Sequence, residues 1–137
     1  MQMENLKIAA TDFTPEVNFN IDSYTFCLSG VSRPENVRDF YSQIIDWLAD
    51  LGNHFSEISP ADSGLNKIWM EFRLAYFNSA SSKLIIEILN HLKKFKTYGI
   101  DLEISWYYDE GDEQMRDDGE ELAEACDLEF YYYELSS

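Results

Sequence analysis

Between Lys67 and Phe95 the chain changes its hydrophobic period once, abruptly. In "KIWMEFRLAYFN" apolar residues alternate, with Ile68, Met70, Phe72, Leu74 and Tyr76 on one face and Trp69, Glu71, Arg73, Ala75 and Phe77 on the other. A period of two makes a strand, and partly apolar faces on both sides place it inside a sheet. In "SASSKLIIEILNHLKKF" the period lengthens: Ile85, Ile88, Leu89, Leu92 and Phe95 recur at three and four residues, as on one face of a helix. Lys93, Lys94 and Lys96 fall in its last turns, where cations suit the helix dipole, and Gly99 closes it. "DLEISWYYD" then returns to strand character. Strands separated by a helix cannot pair as a hairpin, so they are predicted to be parallel neighbours joined by a crossover.

The same grammar extends both ways. "EVNFNI" and "YTFCLSG", divided by Asp22-Ser23, read as a hairpin. After it, Ser32 is expected to cap a helix with Pro34 in its first turn and Val37, Phe40, Tyr41, Ile44, Leu48 and Leu51 on its core face, ending near Gly52. Residues 53–66 read as loop, which places His54 there. Beyond "DLEISWYYD", the acidic run Asp109 to Asp127 carries Met115, Leu122, Ala123 and Cys126 at helical spacing, and "LEFYYYEL" is a last strand. The expected order is β-β-α-β-α-β-α-β: an α/β domain with a mixed, mostly parallel sheet of about five strands and helices packed on it. With 137 residues the chain has room for one domain, 1–137, in which 1–13 are weakly patterned and expected as a loose lead-in.

A formal net charge of −16 argues against nucleic acid and against anionic membrane surfaces. It leaves solubility, or an acidic face for a basic partner, as its use. Cys27 and Cys126 fit neither a zinc nor a redox spacing and read as buried free thiols. The start "MQMENLKIAA" lacks the features of a signal peptide, and no apolar run approaches the ~20 residues of a membrane span, so a cytoplasmic protein is expected.

Little of the sequence speaks of catalysis. His54 and His91 are far apart, and phosphate-loop, dinucleotide and nucleophile-elbow patterns are absent. The run "DEGDEQMRDDGEE" misplaces its glycine for a calcium loop. No catalytic residue, metal site or cofactor is therefore expected, although a metal-binding protein or small enzyme built on the acidic segment is a reading from another class. Trp106, Tyr107, Tyr108, Phe130, Tyr131, Tyr132 and Tyr133 crowd the last two strands, and some must reach the surface, where tyrosines rimmed by acid suit a protein interface.

The remaining feature is the hydroxyl cluster where strand becomes helix, "NSASS" from Asn78. Asn and Ser are favoured helix caps, and Ser79 as a cap accounts for the local sequence without any function. A second use follows from electrostatics. The positive end of a helix tolerates an added phosphate, and a phosphoryl group on Ser79 brings about −1.5 to −2 charges without melting the helix. Lys83, four residues on, lies on the same helical face.

The stretches "TPEVNFN", "SGVSRPEN", "EFRLAYFNSASSK", "WYYDEGDEQM" and "GEELAE" together resemble the SiaC family of regulatory phosphoproteins, and the element order resembles the STAS, or anti-sigma-factor-antagonist-like, fold. The resemblance implies a non-enzymatic switch. A protein kinase would phosphorylate the hydroxyl after the asparagine of the Y-x-N motif, a PP2C-type phosphatase would remove the phosphate, and the unphosphorylated form would bind and activate a diguanylate cyclase in cyclic di-GMP and biofilm signalling. Carried over without gaps, Asn78 matches the asparagine, Ser79 the acceptor, and Ser81 and Lys83 the Ser and Lys that follow. The acceptor is Ser where Thr is familiar, and Ala80 stands where a hydroxyl is common, which keeps Ser81 and Ser82 as alternative acceptors. The expected docking surface comprises Asn78, Ser79, Ser81 and Lys83, with Asp109, Glu110 and Asp112 from the acidic loop. An anti-sigma-factor antagonist in a partner-switching transcription cascade is the alternative within the same class.

Overall fold

A computed structural model describes residues 3–58 and 67–136. Six strands form one sheet in the order of the sequence: β1 (Leu6–Ile8), β2 (Glu16–Asn20), β3 (Thr25–Ser32), β4 (Lys67–Phe77), β5 (Asp101–Asp109) and β6 (Phe130–Leu135). The first three pair antiparallel; β3 to β6 run parallel, through α1 (Val37–Glu57), α2 (Ser79–Phe95) and α3 (Glu113–Cys126). The expected α/β architecture stands, with one strand more than the sequence reading supplied. That strand comes from the supposed loose lead-in. Leu6 to Ile8 pair with Val17 to Phe19, Asn5 Oδ1 accepts the Ile21 amide at 2.8 Å, and the Trp47 indole donates to the Glu4 carbonyl at 2.9 Å. These bonds join residues 16 and 43 positions apart, which no local pattern reveals.

Each crossover advances one strand in the same direction. With a uniform right hand, that puts every helix on one face of the sheet. The burial pattern agrees: Val17, Phe19, Phe26, Leu28, Ile68, Met70, Phe72, Ile104, Trp106 and Phe130 share the covered side and meet Tyr41, Ile44, Leu48, Leu51, Ile85, Ile88, Leu89, Leu92 and Phe95 from the helices. Among the described residues, the opposite face carries no helix.

Three boundaries move. Ser32 is no helix cap; it ends β3 and is buried, while Asn36 caps α1 by accepting the Asp39 amide at 3.2 Å, leaving Pro34 outside the helix. Helix α1 continues past Gly52 to Glu57, because Phe55 reaches the core and stacks edge-on against Phe95, so His54 is helical. The rest of the expected loop, 59–66, lies outside the described residues. Cys126 is buried as expected, but Cys27 is only half-buried, on the bare face of the sheet.

Strand β4 carries one irregularity in its pairing with β3. Gly30 pairs with Leu74 but Val31 pairs with Tyr76, so Ala75 has no opposite number: a β-bulge beside Gly30, whose φ of +106° suits glycine. One extra residue inverts the alternation beyond it. Tyr76, expected on the core face, is exposed, and Phe77 turns inward, edge-on to Trp106 at 5.9 Å between ring centroids.

Candidate functional site

The bulge delivers Asn78 to the start of α2, and the backbone hydrogen bonds there are accounted for group by group. Asn78 caps the helix: its Oδ1 accepts the Ser81 amide at 2.8 Å, and its carbonyl accepts the Ser82 amide at 3.1 Å. Its own amide donates to the Ser32 carbonyl at 3.1 Å, tying the helix start to β3. Ser79 is therefore the first helical residue and not the cap, so capping does not explain its hydroxyl. It is exposed, and among the described residues its side chain forms no hydrogen bond. The amides of Ser79 and Ala80 belong to the open first turn, which has no intrahelical acceptors.

Ser81 has the opposite fate. It is fully buried, donates its hydroxyl to the Ser32 carbonyl at 3.1 Å, and accepts from Ser32 Oγ at 2.8 Å. Since Ser32 spends its proton there, Tyr41 donates to Ser32 Oγ at 2.6 Å. Three buried hydroxyls from β3, α1 and α2 thus satisfy one another, and burial pushes the Tyr41 phenol up against the lowering effect of its two serine neighbours. Neither a kinase nor a partner reaches Ser81 in the folded protein, which removes it from the expected acceptors and from the expected docking surface. Ser82 is half-buried, its hydroxyl turned back to the Ser79 carbonyl at 2.7 Å.

Beside Ser79 runs a groove of about 390 Å³ between α2 and α3. Phe77, Ile86, Leu122 and Ala125 supply apolar walls; Asn78, Ser79 and Ser82 form one rim, and Asp118 and Glu121 bring carboxylates from α3. Helix α3 sits close because Gly119 lies against Trp106, whose indole N–H donates to the Met115 carbonyl at 2.9 Å. The site offers an apolar slot, an exposed hydroxyl and two carboxylates, with no group of three or more metal-ligating side chains anywhere among the described residues.

The expected acidic contributors divide. Asp109 and Glu110 are exposed where β5 ends, at the same edge of the parallel strands as Ser79, but neither lines the groove. Asp112 is occupied as the cap of α3, accepting the Met115 amide at 3.1 Å. Lys83 is exposed one turn beyond Ser79. The sequence reading missed Phe77, Asp118 and Glu121. The last two stand on the helical face that holds Leu122 and Ala125, so the spacing was present, but nothing local says which helix this face meets.

Fold and site define a class: a small α/β domain with helices on one side and an exposed, unencumbered hydroxyl at a helix start, as suits a regulatory phosphoprotein. The chain belongs to the SiaC family, since the family model described as "SiaC family regulatory phosphoprotein" matches residues 8–135. A curated Pseudomonas aeruginosa (strain UCBPP-PA14) protein of uncharacterized function is 30% identical over 128 residues, covering 93% of this chain and 94% of its own length. The crystal structure of apo-SiaC from Pseudomonas aeruginosa superposes with a TM-score of 0.77 at 27% identity, covering 95% of this chain and 98% of that one. The SiaC fold in the crystal structure of the diguanylate cyclase SiaD in complex with its activator SiaC, from the same organism, gives a TM-score of 0.80 at 26% identity, covering 95% and 99%.

Proposed function

We propose that this protein is a non-enzymatic switch, phosphorylated on Ser79 by a protein kinase and dephosphorylated by a PP2C-type phosphatase, whose unphosphorylated form docks on a diguanylate cyclase through the α2–α3 groove. The observation that carries the reading is the division of labour among three neighbours: Asn78 caps, Ser81 is locked in the interior, and Ser79 is exposed beside the groove. A phosphate on Ser79 adds to the negative charge of Asp118 and Glu121 at the rim. Screening confines its effect to about 8 Å at physiological salt, so the groove feels it and the rest of the fold does not. A partner seated there must desolvate the new charge, and affinity falls. The family relation to a SiaC that activates the cyclase SiaD supports a cyclase as the partner. No described helix is long and apolar enough to cross a membrane, and the switch is read as a cytoplasmic one.

Ser79→Glu and Ser79→Ala, titrated by isothermal calorimetry against a diguanylate cyclase from the organism that makes this protein, test the reading. Ser79→Ala is expected to bind like the native chain. Ser79→Glu is expected to lose at least about ten-fold in affinity, equivalent to about 1.4 kcal/mol. Equal affinity for the two variants refutes it, as does a phosphate located elsewhere on protein isolated from its own cells.

A further inference from the structure

The bare face of the sheet carries an ordered layer of exposed aromatics and paired charges. One row of residues crosses all six strands on that side: Lys7, Asn18, Cys27, Glu71, Ser105 and Tyr131. Trp69, Tyr131 and Tyr133 are 39%, 47% and 42% exposed there. The aromatic layer is already ordered. Arg73 sits over Tyr107, its guanidinium carbon 3.8 Å from the ring centroid, and Tyr107 stacks on Tyr133 at 5.1 Å. Lys67 stands over Trp69 at 5.2 Å. Ion pairs hold both cations, Arg73 to Glu71 and Lys67 to Glu103, each at 2.9 Å. Pre-ordered aromatics and Arg are what interface cores favour, because little side-chain entropy is left to lose.

Charge identifies the occupant. On the body of this face Lys7, Lys67 and Arg73 match Glu16, Glu71 and Glu103, with Asp101 and Asp109 standing at the two ends of β5. Counting those two, the face carries a net −2, so most of the chain's net −16 is carried by the rest of the molecule. Two copies repel each other far more through their helical sides than through this one, and its paired signs can meet their opposites across a two-fold axis. Size is adequate. At about 4.8 Å between strands and 3.3 Å per residue the face has a flat footprint of about 700 Å², which side-chain relief brings near the ~800 Å² per partner of an ordinary interface. We infer that two copies of this chain associate face to face through the helix-free side of their sheets, leaving both Ser79 grooves outward. This association does not rest on phosphorylation or on the identity of the effector.

Cys27 reports on it directly, because it lies in the middle of the face, whereas Cys126 is buried at the end of α3, on the helical side. The experiment measures sedimentation and N-ethylmaleimide labelling of the native full-length chain from low micromolar to millimolar concentration. The expected result is a rise from 16.0 kDa to about 32 kDa, with Cys27 labelling slowing in step with the dimer fraction. Trp69→Glu combined with Tyr133→Glu is expected to stay at 16.0 kDa throughout, with an unchanged melting temperature and concentration-independent labelling. A native chain that remains monomeric at millimolar concentration overturns the inference. So does one that doubles in mass while Cys27 labels at its monomer rate, a result that needs no variant to fold.

Discussion

Replacing Ser81 with alanine separates the two serines that the sequence leaves equivalent. The change deletes a buried hydroxyl that donates to the Ser32 carbonyl at 3.1 Å and accepts from Ser32 Oγ at 2.8 Å. Ser32 Oγ then loses its acceptor in a site with no exposure, and its partner Tyr41 is equally enclosed. Leaving a buried polar group unsatisfied costs about 1–3 kcal/mol. Unfolding entropy is about 2.1 cal/mol/K per residue. Over 137 residues, each kcal/mol therefore moves the midpoint by about 3–4 °C. Ser81→Ala is expected to lower the melting temperature by about 3–10 °C, followed by circular dichroism with a calorimetric check that unfolding is two-state. Ser79→Ala removes an exposed hydroxyl and is expected to stay within about 2 °C, since surface changes away from caps are usually within ±0.5 kcal/mol. If Ser79→Ala proves the more damaging of the two, or if Ser81→Ala melts with the native chain, the assignment of one serine to the core and the other to signalling is wrong.

Other consequences are equally open to measurement. A Cβ at position 119 falls 2.5 Å from the Trp106 indole nitrogen, so Gly119→Ala is expected to destabilise by about 1–2 kcal/mol in urea titration even after its better helix propensity is credited, and to weaken partner binding by displacing Asp118 and Glu121. Burial raises the Tyr41 phenol above its ordinary 10.0, so above pH 10 the unfolded chain loses protons that the folded one keeps. Stability therefore falls as pH climbs past 10, by at most about 1.4 kcal/mol per pH unit for this group, and Tyr41→Phe is expected to flatten, without abolishing, that decline, because Tyr24 and Tyr132 are shifted the same way. Asp118→Asn with Glu121→Gln is expected to leave the melting temperature within about 2 °C while reducing the salt dependence of partner binding, read from calorimetric titrations at two ionic strengths.

Much of this molecule is legible without coordinates, and the reason is locality. Strand and helix periods within β4 and α2 are set by neighbours two to four residues away; the sequence left the cap at Ser79, and the structure moved it one residue back to Asn78. The buried faces of all three helices follow from the same spacing, and α–β alternation then compels parallel pairing. What the tertiary structure alone decided depends on residues distant in the chain. The bulge at Ala75 shifts the pairing of β3 with β4 by one residue past Gly30, and it exchanges Tyr76 for Phe77 at the mouth of the groove. Ser81 is sealed by Ser32 and Tyr41, 49 and 40 positions earlier, so chemically identical serines two residues apart receive opposite roles. Asp118 and Glu121 meet Ser79 only because successive crossovers of one hand stack the helices on a single side. That same constraint leaves the other side bare, with Cys27 half-buried at its centre. Sequence period sets which face of an element is apolar; only long-range packing sets what that face finds.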